Sequence, residues 1–163
     1  MPPVPLLDTA TLDCSRVLYS REQIYQALPQ KFEFAQLDAI IHVDRENITA
    51  AAYRDIRPDE WWCRGHMPGN PLFPGILMLE SAAQLSAFCL GLLFPQENSF
   101  MAFGAIDKVK FRDSVVPPAR LIFLARGVEH RSRRFICDTQ ALLNGNIVFE
   151  GTITGMRFKA SPP

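Results

Sequence analysis

His66 and Glu80 are the two side chains whose type and setting best suit proton transfer. They lie in the segment GHMPGNPLFPGILMLESAAQ, which runs from Gly65 to Gln84. An imidazole can take up a proton at neutral pH, and a carboxyl group can supply one. A carboxyl group among apolar neighbours is costly unless it is exposed, paired or functional. Beside a helix N-terminus, such a pair could remove a proton next to a carbonyl while a nearby hydroxyl departs.

The prolines that follow His66 predict where the next helix begins. They recur at positions 68, 71 and 74. Each disfavours the α conformation at the residue before it, so a helix can begin only at about Gly75. The free N–H groups and positive dipole end of this helix would then lie beside His66, where they could hold a developing oxyanion. Because Gly75 has no side chain, a ligand could approach this backbone closely.

Each of these features alone has a plainer interpretation. A single histidine near a Pro-Gly turn is more often a structural hydrogen-bonding residue, and a lone glutamate in a helix often reaches solvent. Gln84, however, follows Glu80 by four residues, which places both on one helix face within hydrogen-bonding reach. The combination of His66, Glu80 and the helix entry is more specific than its parts and predicts an acid–base site.

The apolar run from Ile76 to Phe94 predicts one long, buried helix. It contains no Lys or Arg, and by length alone it could cross a membrane. An acidic residue near its centre is penalised in lipid, and strand-like sequence follows the run. We therefore expect the core helix of a folded domain and no membrane span.

The other elements that must position the site are a short helix and a set of strands. Ser20 and Gln23 fit a capping box, which predicts a helix that ends near Leu28, before a proline. Strand patterns flank a turn at 44–47, and several more follow the long helix, with an Asn144-Gly145 hairpin signal between the last two. This order predicts an α+β fold in which an antiparallel sheet wraps around one hydrophobic helix. We expect a single domain over residues 20–163 and an arm, residues 1–19, that is partly disordered or packed on the surface.

Composition excludes several classes of function. Lys plus Arg and Asp plus Glu are both 17, so the net charge is zero and no overall field attracts nucleic acid. The four Cys form no CxxC pair, and the three His are dispersed, so neither a zinc site nor a disulfide framework is indicated. The N-terminus lacks the pattern of a signal peptide, and we expect a cytoplasmic protein.

The segment from Gly65 to Gln84 resembles the signature of bacterial 3-hydroxyacyl-[acyl-carrier-protein] dehydratases of the FabZ type, roughly GHFPGxPxxPGVLxxEAxAQ. FGAIDKVKFRDSVVPPARL and IIHVDRE are similar to two further stretches of that family, and the resemblance spans roughly residues 22–158. It implies a hotdog fold, a homodimer or trimer of dimers with sites at the subunit interface, and no metal or organic cofactor. The implied activity is dehydration of a 3-hydroxyacyl thioester to the trans-2-enoyl thioester, in fatty acid biosynthesis or a related pathway.

The same resemblance implies a role for each candidate residue. His66 would be the catalytic base at the α-carbon, and Glu80 of the other subunit would protonate or hold the departing hydroxyl. The Gly75 N–H would bind the thioester carbonyl, Gln84 would orient Glu80, and the acyl chain would enter an apolar tunnel between subunits. Two alternatives are a hydratase that acts on coenzyme A thioesters and a non-catalytic hotdog subunit that binds acyl chains.

A basic strand bears on the choice of carrier. Lys108, Lys110 and Arg112 alternate along the sequence, so we expect them on one strand face and Val109 and Phe111 on the other. This face is either simply solvated or a docking site for an acidic acyl carrier protein, as the family resemblance implies.

Overall fold

The computed structural model describes residues 3–160, which form two α-helices, two single-turn 3₁₀ helices (Thr9–Thr11 and Phe32–Phe34) and seven strands. Positions 1–2 of the expected arm and 161–163 of the expected domain lie outside the described residues. The seven strands form one antiparallel sheet in the order β1-β2-β3-β5-β6-β7-β4. In chain order the elements are β1 (Tyr19–Ser20), α1 (Arg21–Ala27), β2 (Ala39–Asp44), β3 (Thr49–Ile56), α2 (Gly75–Leu93), β4 (Ser99–Phe111), β5 (Ala119–His130), β6 (Arg134–Leu143) and β7 (Asn146–Lys159).

The long helix α2 begins at Gly75, as the proline spacing predicts, and the sheet wraps around it. Eleven of its residues are buried, and they pack against the inner faces of β3, β5, β6 and β7. By length and composition α2 would also qualify as a membrane span, a criterion that core helices meet too, and 61% of its most apolar window is buried inside the fold. The helix is apolar on nearly all sides because the sheet encloses most of its circumference.

The local signals near the N-terminus and in the hairpins are confirmed. Ser20 Oγ accepts a hydrogen bond from the Gln23 amide, while Gln23 Oε1 accepts one from the Ser20 amide at 2.9 Å, which completes the capping box of α1. Asn144 and Gly145 connect β6 to β7 with positive φ angles of 50° and 82°, the conformation of a tight hairpin turn.

The N-terminal arm packs against the outer face of the sheet. Its apolar side chains, among them Leu6, Leu7 and Leu12, lie on a small cluster that includes Leu124. Gln140 on β6 fastens the arm, since its Oε1 accepts from the Leu6 amide at 2.8 Å and its Nε2 donates to a carbonyl of the arm at 3.0 Å. Of the two alternatives stated for the arm, the structure therefore supports packing on the surface for the residues it describes.

Strand β4 lies at one edge of the sheet and pairs only with β7 among the described strands. The sequence predicted two strand runs here, SFMAFGAI and KVKFRD. The structure joins them into one strand with register shifts between Phe103 and Ala105 and between Asp107 and Lys110. A long edge strand with exposed apolar side chains is a surface on which another chain can pair. Those exposed side chains are Phe100, Phe103, Ile106 and Phe111.

A buried ion pair anchors the loop that connects β3 to α2 and carries His66. Arg54 on β3 pairs with Glu60, and their side chains are only 6% and 9% exposed. The same carboxylate accepts from Trp62 Nε1 at 3.1 Å, and the Trp62 ring packs edge-on against Phe73. The Trp62 carbonyl in turn accepts from the His66 amide at 2.8 Å. The loop is thereby fixed to the core at both ends.

Replacement of Glu60 by alanine should destabilise the fold by about 3 to 5 kcal/mol, because it leaves the Arg54 guanidinium buried without its partner. Urea unfolding followed by circular dichroism measures this difference. The matched control is Asp59→Ala, since Asp59 pairs with Arg57 at the surface and its loss should change the unfolding free energy little. Equal effects of the two substitutions would contradict the assignment of the anchor to Glu60.

Candidate active site

Glu80 lies on the one stripe of α2 that the sheet leaves uncovered. Between the two ends of the helix, the residues that are not buried recur at intervals of three or four, which is the spacing of a single helix face; they are Ile76, Glu80, Ala83, Ala87 and Gly91. A cavity of about 400 Å³ opens on this stripe, and Phe34, Phe103 and Phe135 form part of its wall around Glu80. The small side chains at 83 and 87 leave an apolar groove along the helix.

A second cavity, of about 700 Å³, continues this groove towards the end of α2. It reaches Gly91, and five residues line both cavities: Pro29, Gln30, Ala87, Phe100 and Met101. It includes neither His66 nor Glu80, so the smaller cavity is the one that bears on the predicted chemistry. Together the two form a path suited to a long apolar ligand whose reactive end lies at Glu80.

The predicted hydrogen bond between Gln84 and Glu80 is present, and Gln84 makes three more. Its Nε2 donates to Glu80 Oε1 and to the Phe34 carbonyl, both at 2.7 Å. Its Oε1 accepts from the Tyr25 hydroxyl at 2.6 Å and from the Gln36 amide at 3.1 Å. Gln84 is 1% exposed, and all of its hydrogen-bonding capacity is used.

His66 is half-buried in the loop, and one of its ring nitrogens is committed to the backbone. Nδ1 lies 2.8 Å from the Leu72 carbonyl, and the Leu72 amide donates to the His66 carbonyl at 2.9 Å. A carbonyl oxygen only accepts, so Nδ1 carries the hydrogen, and in the neutral ring the lone pair is on Nε2. Nε2 is therefore the atom able to take up a proton.

The N-terminus of α2 presents unused backbone donors. Pro74 provides no side-chain cap, and the amides of Gly75 and Ile76 donate to no residue within 3–160. A Cβ at Gly75 would lie 2.8 Å from the ring of Phe111, so the glycine also permits that ring to pack here. The sequence predicted a glycine here for the close approach of a ligand, and the contact with Phe111 is a second reason for glycine at this position.

One chain brings together only part of the predicted site. Glu80 and Gln84 are in direct contact, but His66 does not line the cavity that contains Glu80. His66 instead belongs to the loop that leads into the start of α2, through the bond to Leu72. Within a single chain the candidate acid Glu80 lies on α2, and the candidate base His66 lies in the loop before it.

Two of the three basic residues around the end of β4 lie on a common face, as predicted. Lys110 and Arg112 both reach Glu150 on β7, at 3.6 Å and 2.6 Å, so these two share a face. The simple alternation predicted to include Lys108 is wrong, because a bulge interrupts the register between Asp107 and Lys110 and Lys108 has a φ of 53°.

The sequence did not identify Tyr25 or the Arg54–Glu60 pair as parts of the site. Tyr25 is 59 residues from Gln84 along the chain, and no spacing rule connects them. The pair of Arg54 with Glu60 is more local, and its only signal was the charged loop 57–60 before two tryptophans. Both support site residues that the sequence did identify: Tyr25 bonds to Gln84, and the Arg54–Glu60 pair anchors the loop that carries His66.

Sequence comparison identifies relatives over most of the chain. Residues 28–152 match the FabA-like domain family. A 3-hydroxyacyl-[acyl-carrier-protein] dehydratase FabZ from Streptococcus thermophilus is 33% identical over 132 residues, which cover 80% of this chain and 92% of the relative. A FabZ from Nitratiruptor sp. is 29% identical over 140 residues, with coverages of 82% and 94%.

Solved structures with little sequence identity have the same fold. A dehydratase heterocomplex from Xenorhabdus doucetiae superposes with a TM-score of 0.70 at 12% identity, over 83% of this chain and 91% of that one. A mutant thioesterase from Pseudomonas aeruginosa superposes with a TM-score of 0.66 at 13% identity, over 88% and 97%. Since the family match covers more than half of the chain and the sheet encloses a single central helix, this chain belongs to the FabA-like domain family and has the hotdog fold.

Proposed function

We propose that this chain is a (3R)-3-hydroxyacyl-[acyl-carrier-protein] dehydratase of fatty acid biosynthesis. The observation that carries the proposal is the setting of Glu80, whose carboxyl group is held by a buried amide at one end of an apolar groove. The relatives named as FabZ dehydratases support the same reaction. The reaction removes water from the 3-hydroxyacyl thioester and leaves a trans-2-enoyl thioester.

The mechanism uses one base, one acid and one set of backbone donors. His66 Nε2 takes the proton from C2, next to the thioester carbonyl. The negative charge that develops on the carbonyl oxygen is stabilised by the free N–H groups at Gly75 and Ile76. Glu80 gives its proton to the C3 hydroxyl, which leaves as water as the C2–C3 double bond forms. The proton on His66 then returns to Glu80 through solvent, and both groups regain their starting forms.

The complete site requires a second copy of the chain, because the cavity at Glu80 is not lined by His66 of the same chain. The edge strand β4 supplies the surface for this contact, since it has an unpaired edge within the described fold and exposed phenylalanines next to the cavity. Pairing of β4 with its copy would extend the sheet and bring the His66 loop of one subunit to Glu80 of the other.

The carrier, the pathway and the location follow from this proposal. An acyl carrier protein is acidic in charge, which complements the exposed Lys108 and Lys110 and the partly neutralised Arg112. No cofactor takes part in the mechanism, and the reaction would occur in the cytoplasm.

Incubation of the purified protein with 3-hydroxyacyl thioesters of both carriers, with enoyl formation as the readout, tests the proposal. Turnover of coenzyme A thioesters alone would favour the alternative of a hydratase. No turnover of an acyl group of any length on either carrier would favour the alternative of a non-catalytic acyl-binding subunit.

His66→Ala and Glu80→Gln should each lower kcat by about 10²- to 10⁴-fold, because each removes one partner in proton transfer. Melting temperature and circular dichroism should stay near those of the unmodified protein. The matched controls are His42→Ala, on the outer face of the sheet, and Glu46→Gln, in the exposed β2–β3 turn, which should keep full activity. A variant at either site residue with near-normal kcat would remove that residue from the mechanism.

Mixed dimers of the two inactive variants should recover activity if each site takes His66 and Glu80 from different chains. In a mixed dimer one site receives both defects and the other receives neither. Random pairing of equal amounts makes about half of the dimers mixed, so about a quarter of normal activity should return, given the twofold symmetry. The variants are co-expressed with different tags. The unfractionated mixture should show this quarter, and mixed dimers purified through both tags, with one intact site of two, should show about half of normal activity. If mixed dimers are confirmed and remain inactive, the shared-site arrangement is wrong.

Lys110→Glu should raise KM for a substrate on the acyl carrier protein and should have little effect on a short soluble thioester. Lys110 is better suited than Arg112 for this test, because Lys110 lies farther from Glu150, at 3.6 Å against 2.6 Å, and is more exposed, so its reversal disturbs that carboxylate less. Lys159→Glu, at the opposite end of the β4–β7 pair, is the charge-matched control. Equal losses with both substrates would indicate a defect in folding or in the site instead of lost docking.

A further inference from the structure

Tyr25 on α1 is the remote end of the hydrogen-bond chain that leads to Glu80. The Leu37 amide donates to the Tyr25 hydroxyl oxygen at 2.7 Å, and the Tyr25 hydroxyl lies 2.6 Å from Gln84 Oε1. Burial raises the pKa of this hydroxyl to about 12, so it keeps its proton near neutral pH. Because the oxygen already accepts from Leu37, its hydrogen is free to be donated onward to Gln84.

Backbone groups fix the direction of every bond in this chain. The Gln36 amide donates only, and the Phe34 carbonyl accepts only, so together they decide which end of the Gln84 amide is which. A reversed amide would oppose two donors at one end and two acceptors at the other, deep in the core. The Gln84 NH₂ group must therefore face Glu80.

This orientation assigns different roles to the two oxygens of the Glu80 carboxyl group. Oε1 accepts from Gln84 at 2.7 Å and cannot also hold a hydrogen that points at that donor. Oε2 makes no hydrogen bond to any residue among 3–160, and Glu80 lines the cavity. The proton of the acid form therefore belongs on Oε2.

We propose that Tyr25 is a positioning residue which, through Gln84, holds Glu80 so that Oε2 is the oxygen that exchanges its proton with the substrate. The proposal rests on the proposed dehydratase function and extends it to a residue on another helix. Tyr25 does not touch the cavity at Glu80, so its effect passes entirely through the Gln84 amide.

Tyr25→Phe tests the proposal, because it removes the hydroxyl and keeps the ring. We expect kcat to fall about tenfold, as is typical when the partner of a site residue is lost, while KM is unchanged. Tyr19→Phe is the matched control: Tyr19 packs against Phe88 on the same helix α2, and its hydroxyl bonds to no residue that the structure describes. It should leave kcat unchanged.

A second experiment distinguishes a positioning role of Tyr25 from a general packing defect. In a Gln84→Met background, addition of Tyr25→Phe should lower kcat no further, since the route from Tyr25 to Glu80 is already broken. A full additional loss in that background would overturn the proposal, as would normal kcat for Tyr25→Phe alone. Inactivity of the unmodified protein towards all substrates would overturn the proposed function, and this proposal with it.

A measurement on the unmodified protein keeps the test independent of variant folding. The two Nε2 hydrogens of Gln84 should exchange with solvent far more slowly in NMR than those of the exposed Gln26, because both are hydrogen-bonded and the Gln84 residue is 1% exposed. Equally fast exchange at the two glutamines would overturn the fixed amide on which the proposal depends.

Discussion

The enclosure of α2 by a single sheet is the constraint on which the rest of this structure depends. A helix that is apolar nearly all round must be buried, and each polar side chain on it then needs an internal partner. Ser81 and Ser86 meet this need locally, by donating to the carbonyls of Leu77 and Ala82 one turn earlier. Gln84 is longer and finds its partners on α1 and the segment 34–36. Because this helix is buried, α1 and the segment 34–36, which are distant in sequence, bond to Gln84 and so support Glu80, the candidate acid.

The same enclosure leaves one stripe of α2 open, and the groove along it is a consequence of small residues. Ala83, Ala87 and Gly91 line the two connected cavities, with phenylalanines from β4 as part of the walls. Since β4 is also an edge of the sheet, with no second partner among the described strands, the groove and the expected subunit contact share one strand. The apolar area that must be covered and the ligand path are therefore parts of one surface, and association of two chains would close both.

Most features that depend on near neighbours in sequence were predictable. The proline spacing gave the start of α2, the capping box gave α1, and the four-residue spacing gave the contact of Gln84 with Glu80. Features that depend on tertiary pairing were not. The bulge that displaces Lys108, the ring of Phe111 over Gly75 and the bond from Tyr25 to Gln84 each arise from residues brought together only by the sheet and the core. No local period encodes such contacts, because their geometry is set by packing.

Glu80 and His66, the candidate acid and the candidate base, are supported by different kinds of interaction. The His66 loop is held by a buried ion pair, an arrangement that seldom adds stability over apolar packing, and burial lowers the pKa of Arg54 against the opposing effect of Glu60. Its value is geometric, because one carboxylate fixes Arg54 and Trp62 together. Glu80 is held only by neutral groups, with no ion pair to any residue in 3–160. The Gln84 amide fixes the carboxyl group through Oε1 alone, so Oε2 makes no hydrogen bond to any residue within 3–160, and Glu80 lines the groove in which the proposed substrate would lie.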